Sequence, residues 1–384
     1  MFGYERAVCE VNLDNIGHNI REIKKKVGKS KVLAVVKADG YGHGAVWVSQ
    51  KAVQNGADWL GVAITDEGIR LREAKIDVPI LILGYTPDNE IEDVIKNNLT
   101  QTIFSYEKAL AFSKAAKKLN KTAQVHIKID TGMERIGFMP NQEGINEIMK
   151  ISRLDNIKIT GMFTHFADSD SADKTFAWEQ FNKFLYMTNE LEKRGIKDII
   201  RHGANSGAIL DIPEFYLDMV RAGIILYGLM PSKEVKKSID IIPAMSLKTY
   251  VSFVKKVKKG TSIGYGRTFY TNKDTVVATI PIGYADGYFR LLSNKSRVLI
   301  NGKYLPVIGN ICMDQFMVDA SNAADVKEED EVVLFGEQNG LAITVDELAG
   351  LINTINYEIV CNVGRRIPRI YIENGIVKKV VKLI

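Results

Sequence analysis

Between residues 30 and 225 the chain alternates short β-branched apolar runs with longer stretches of helical period, the signature of βα units laid on a parallel sheet. Eight runs qualify as strands, at 32–37, 59–64, 79–84, 101–105, 123–129, 157–165, 199–204 and 216–222, and helical stretches at 45–55, 66–75, 89–97, 106–119 and 178–194 lie among them. Eight strands in series predict an α/β fold, a (β/α)8 TIM-type barrel. A helix precedes the first strand, with Ile16, Ile20, Ile23 and Val27 on one face and Asp14 placed to cap its start. From Ala244 onward, Val, Ile, Thr and Tyr runs are broken at Asn301-Gly302, Asn339-Gly340 and Asn374-Gly375, with one short helix near 345–353. The reading is a barrel domain over 1–235, whose first ~12 residues pair with the second domain, and a mainly β domain over 236–384.

Composition narrows the function. The 384 residues, 46% hydrophobic and 25% charged, supply an ordinary globular core and exclude a wholly disordered, collagenous or coiled-coil chain. A net charge of +5, from 51 basic and 46 acidic residues, is too small and too dispersed to imply nucleic acid. Glu5 and Arg6 interrupt any secretory apolar region and no segment reaches a membrane span, so no membrane association is expected. Cys9, Cys312 and Cys361 make neither a disulfide framework nor a CxxC site, which fits a cytoplasmic location. Without HExxH or CxxC spacing, a zinc site on His126, His165 and His202 has no support, and no metal is expected.

In such a barrel the reactive side chains stand at the C-terminal ends of strands. Lys37 ends the first strand after Leu33-Ala-Val-Val36, where an apolar setting and neighbouring cations lower an amine's pKa, as a carbonyl-binding lysine requires. Ala38-Asp-Gly-Tyr-Gly-His-Gly44 follows, three glycines that allow close backbone approach to a ligand. The loops after strands seven and eight offer Ser206, Gly207, Gly223 and Ile224 as a phosphate cradle, with free N–H groups at a helix start after Asn205. Arg221 beside them can only donate. His126, Lys128 and Asp130, two apart on the fifth strand, share one face and suggest an ion network around Arg135. In the second domain, Ser262-Ile-Gly-Tyr-Gly-Arg267 and Asn310-Ile-Cys-Met-Asp-Gln315 exceed what strand and turn grammar requires, and the glycines flanking Tyr265 suggest a phenol presented in a set geometry.

Five spaced segments, Val35-Val-Lys-Ala-Asp-Gly-Tyr-Gly-His-Gly44, His126-Ile-Lys-Ile-Asp-Thr-Gly-Met-Glu-Arg-Ile-Gly137, Ser262-Ile-Gly-Tyr-Gly266, Ile311-Cys-Met-Asp-Gln315 and Thr354-Ile-Asn-Tyr-Glu358, closely resemble the bacterial alanine racemase family essentially from end to end. The resemblance implies a fold-type III pyridoxal 5'-phosphate enzyme that interconverts L- and D-alanine by two bases and supplies D-alanine for peptidoglycan. A broader amino-acid racemase, or another fold-type III enzyme such as a decarboxylase, is the alternative. It implies a head-to-tail homodimer with shared active sites. By position, Lys37 would carry the cofactor and Tyr265 would be the second base. Tyr41, Ser206, Gly223, Ile224 and Tyr357 would hold the phosphate, Arg221 would face the pyridine nitrogen, and His165 would support Arg221 and Tyr265. Arg135 and Met313 would meet the substrate and Lys128 would be carbamylated. Glu134 departs from the pattern, which has glycine there, and puts Arg135 in question.

Overall fold

The computed structural model describes residues 5–323 and 325–382, which divide into two compact units. One comprises residues 15–40 and 44–243, the other residues up to 14, 41–43 and those from 244 onward.

The first unit is the expected barrel. Its parallel strands are β1 (Lys31–Val35), β2 (Trp59–Val62), β3 (Ile80–Ile82), β4 (Thr100–Ile103), β5 (Ala123–Lys128), β6 (Ile157–Phe163), β7 (Ile200–His202) and β8 (Met219–Ala222). They pair in the order β7-β6-β5-β4-β3-β2-β1-β8. No ladder joins β7 to β8, but the seam is stitched by Asp218 N–H to Arg201 C=O at 3.1 Å and Arg221 N–H to Ala204 C=O at 2.9 Å. Strands covered on both faces read as unbroken apolar runs, and Val32, Leu33 and Ala34 are accordingly buried on both sides of β1. The helix Leu13–Val27 buries Ile16, Ile20 and Ile23 as its spacing predicts. Asp14 does not cap it: the helix begins one residue earlier, and the Asp14 carboxylate accepts the Asn374 N–H at 2.5 Å. Residues up to 243 stay with the barrel because the Asn19 amide donates to Leu226 C=O (3.1 Å) and Ile242 C=O (2.9 Å) and accepts from Ile242 N–H (2.8 Å).

The second unit is built on an eleven-stranded sheet. Ala7–Asn12 lies inside it, antiparallel to Met245–Tyr250 and parallel to Arg369–Glu373. Each Asn-Gly pair forms a two-residue hairpin turn with positive φ at both positions, between Ile300 and Lys303, Gln338 and Leu341, and Glu373 and Ile376. The expected helix spans Val345–Leu351, and a second, Asn356–Cys361, was not anticipated; Tyr357 stands on it. Among the described residues no helix is long and apolar enough to cross a membrane.

Candidate active site

Lys37, half-buried, follows the C-terminal end of β1 and opens a turn of reversed hand. Ala38, Asp39, Gly40 and Tyr41 have φ between +51° and +64°. Left-handed backbone costs an L-residue roughly 1–2 kcal/mol, so three non-glycine residues hold it only because partners impose it. Gly40 N–H donates to Val36 C=O at 2.8 Å, and Ala45 N–H to Asp39 Oδ1 at 3.0 Å. One carboxylate, Glu67, accepts from Ala38 N–H at 2.6 Å and Ala63 N–H at 2.7 Å. From the far end of the unit, the Tyr227 hydroxyl donates to Val35 C=O at 2.9 Å.

Arg221, at the end of β8, is buried, and its guanidinium is engaged almost throughout. Nη1 donates to His202 Nδ1 (3.0 Å) and His202 C=O (3.1 Å), and Nη2 to Thr164 C=O (2.7 Å), His165 Nδ1 (3.0 Å) and Gly203 C=O (3.0 Å). No described residue takes its Nε–H, so one charged donor is left for a ligand. Burial, then the Arg135 charge, pulls its pKa down to about 9, still cationic at neutral pH. Burial and the Arg221 charge push His165 and His202 well below the usual histidine range, so both are neutral acceptors toward it.

The cradle beside Arg221 is partly occupied by its own contacts. Asn205 caps the helix Ser206–Asp211 by accepting the Ala208 N–H, and the Ser206 hydroxyl accepts the Gly223 N–H at 3.1 Å. Of the N–H groups expected for the cradle, the Asn205 cap takes that of Ala208 and Ser206 that of Gly223, which leaves those of Ser206, Gly207 and Ile224, the last opening a 3-10 turn. A Cβ at Gly207 would lie 2.9–3.1 Å from Asp170, so only glycine fits that wall.

On β5, His126 and Lys128 do face the barrel interior and are buried, but the ion network expected around Arg135 is absent among the described residues. Asp130 serves its own loop instead: Oδ1 accepts from the N–H groups of Gly132, Met133 and Glu134 and Oδ2 from that of Arg135, at 2.9–3.1 Å. Burial raises its pKa, but these bonds outweigh it and hold the carboxyl below its ordinary value. Glu134, where glycine was expected, adopts φ +53°, so its departure is strained backbone, and the Asp130 bonds keep the loop and the exposed Arg135 in place despite it. Lys128 Nζ donates to Ile129 C=O at 2.8 Å, and burial lowers its pKa to about 8.

The remaining candidates belong to the second unit. Tyr265 is 74% exposed on a 3-10 turn between Gly264 (φ +70°) and Gly266 (φ +71°), and its carbonyl accepts the Asn310 amide at 2.8 Å. The positive φ of both flanking glycines leaves the phenol standing exposed. Met313 is exposed on a loop pinned through its backbone, Tyr284 N–H to Cys312 C=O and Ala285 N–H to Met313 C=O, both 3.1 Å. The pin rests on buried Asp286, which holds Gly283 N–H (3.0 Å) and is itself held by Arg6 (2.6 Å) and Arg366 (3.0 Å). Tyr41 and Tyr357 face each other with ring centroids 6.0 Å apart. Glu67, Tyr227 and Asp286 escaped sequence reading: a carboxylate in a helix's first turn or a tyrosine in an apolar run carries no local mark of what it holds. Among the described residues no group of His, Cys, Asp and Glu is placed to hold a metal ion.

Residues 11–231 match the family model for the N-terminal domain of alanine racemase and residues 244–371 that for its C-terminal domain. An alanine racemase of Clostridium perfringens is 50% identical over 98% of both chains. The solved alanine racemase of Clostridium difficile superposes with a TM-score of 0.95 at 44% identity, over 99% of each chain. That of Bartonella henselae, solved with covalently bound pyridoxal phosphate, gives 0.86 at 29% identity, over 96% of this chain and all of that one.

Proposed function

This chain belongs to the alanine racemase family and interconverts L- and D-alanine, and we propose that it does so with pyridoxal 5'-phosphate held on Lys37 and with Tyr265 as the second base. The observation that carries the reading is Arg221, a buried guanidinium whose Nη groups are fixed on neutral acceptors while its Nε–H remains for a ligand. That donor fits a pyridine nitrogen that must accept. Ser206, Gly223, Ile224, Tyr41 and Tyr357 would hold the phosphate through hydroxyls and backbone N–H groups.

Once bound, the cofactor supplies an electron sink that makes the α-proton of an attached amino acid acidic. The protein decides the rest. Lys37 and Tyr265 remove and return that proton on opposite faces of the α-carbon, which inverts it without turning the substrate over. Arg221, donor-only, gives the pyridine nitrogen no proton and so tempers the sink, which discourages side reactions. His165, neutral beside Arg221, steadies that charge, while Arg135 and Met313 would meet the substrate.

Lys128 is assigned a carbamate. Its neutral amine adds carbon dioxide and releases a proton, giving an anion that attracts Arg135 where an ammonium would repel it. The amine titrates near 8, so its neutral fraction, and with it carbamylation, rises as pH climbs from 7 through that value. Removing carbon dioxide and bicarbonate should lower wild-type activity and leave Lys128→Ala much less affected, whereas equal sensitivity of the two proteins would discard the carbamate.

The partner is a second copy, in a head-to-tail homodimer that shares Lys37 of one chain and Tyr265 of the other in each site. Re-associating inactive Lys37→Ala and Tyr265→Ala proteins tests this. Random pairing makes about half the dimers mixed, each with one intact site, so roughly a quarter of wild-type activity should return. Sites built within one chain would return none.

A further inference from the structure

His126 has no task in the scheme above, yet the barrel is shaped around it. Its ring lies inside β5, and β6 makes room by a bulge: Val125 pairs with Ile159 and His126 with Gly161, so Thr160 is an extra residue. A Cβ at Gly161 would lie 2.5–2.7 Å from three atoms of the imidazole. Glycine inside a strand and a local bulge both serve the close approach of this ring.

His126 Nδ1 lies 2.9 Å from His202 Nε2, and His202 Nδ1 lies 3.0 Å from Arg221 Nη1. A guanidinium can only donate, so His202 Nδ1 is bare and the neutral ring carries its proton on Nε2. That proton has one acceptor, His126 Nδ1. His126 must then carry its own proton on Nε2, which is buried without a hydrogen-bond partner. A proton on both facing nitrogens would clash and a proton on neither would leave no bond, while the reversed bond would turn a His202 Nδ1–H against the Arg221 N–H. The His202 tautomer is thus held from both sides, by a donor at Arg221 and an acceptor at His126, and the unsatisfied N–H at the end of the chain is what this arrangement leaves over.

Resting on the assignment of Arg221 to the pyridine nitrogen, we propose that His126 is a positioning residue for the racemase reaction: by accepting the His202 Nε2–H, it locks His202 in the tautomer that offers Nδ1 to Arg221 and so fixes the guanidinium. Its counterparts on the walls, Trp59 at 5.2 Å from the His126 ring and Phe163 stacked on His202 at 4.8 Å, hold the two planes but can accept no N–H in the ring plane.

The chain has five histidines, so selective 15N labelling of the purified holoenzyme resolves the ring nitrogens, with His126→Asn and His202→Asn assigning them. Wild type should show His202 bare at Nδ1 and protonated at Nε2, and His126 neutral with its proton on Nε2. His126→Leu removes the acceptor and strands the buried His202 Nε2–H, which the ring can relieve only by turning or by moving the proton to Nδ1, either of which costs the Arg221 bond. The His202 nitrogen signals should therefore depart from those of wild type, with kcat about tenfold lower and KM changed less than about threefold. His126→Asn, which restores an acceptor near the position of Nδ1, should recover the His202 tautomer and most of kcat. A His202 proton on Nδ1 in wild type, or an unchanged tautomer and unchanged kcat in His126→Leu, overturns the proposal. If His126→Leu fails to fold, the wild-type and His126→Asn spectra still decide. Failure of the Arg221 assignment is read separately, as absence of a pyridoxyl group on Lys37, which the nitrogen spectra do not depend on.

Discussion

Borohydride reduction of the purified protein followed by peptide mapping will place the pyridoxyl group on Lys37 alone, and Lys37→Ala will lower racemisation by at least about a thousandfold. Loss on that scale is expected because the proposal gives the residue two duties, anchoring the cofactor and moving a proton, and alanine performs neither. The turn beyond it is held by Glu67, Asp39 and Tyr227 through backbone groups, which the variant keeps, so it should fold. A label on any other lysine overturns the assignment.

Tyr265→Phe should retain the cofactor and lose racemisation by about 10²–10⁴-fold, the usual effect of removing a general acid or base. Its effect has a hand. With Lys37 serving D-alanine and Tyr265 serving L-alanine, exchange of the α-proton with deuterated solvent should persist from D-alanine and fall away from L-alanine. Near wild-type exchange from L-alanine would show that Tyr265 is not the base. The stability of the variant should stay within about 0.5 kcal/mol of wild type, since the ring is largely in solvent.

The barrel was legible because its signal is local and repeated: each strand is a short β-branched run and each helix has its own period. The strand ends were less so. The run at 157–165 was read as one continuous strand, whereas β6 ends at Phe163 and carries a bulge at Thr160, which only the His126 ring across the sheet explains. Lys37, Arg221 and Lys128 were visible as cations where strands are otherwise apolar. The network expected around Arg135 failed for a reason spacing does not reveal. Asp130 lies on the same face as Lys128 by the period of two, but it stands at the strand's end, and the bare amides of the four residues from Gly132 to Arg135 reach its carboxylate first. Nor did composition show that residues 41–43 count with the second unit. Gly42 packs there against Val360, and Arg369 holds its carbonyl at 3.1 Å.

The reversed turn after Lys37 also bears on the order in which the molecule assembles. Its supports come from Glu67, 29 residues beyond Ala38, and from Tyr227, 192 residues beyond Val35. Its local bonds, Gly40 N–H to Val36 C=O and Ala45 N–H to Asp39, leave those made by Glu67 and Tyr227 still to form, so the turn is complete only when the last strand of the barrel has closed on the first. On a ribosome emitting the chain from its N-terminus, the lysine is among the first residues made and its setting among the last completed. A nascent or partly folded chain therefore carries the amine without the setting that the finished barrel gives it.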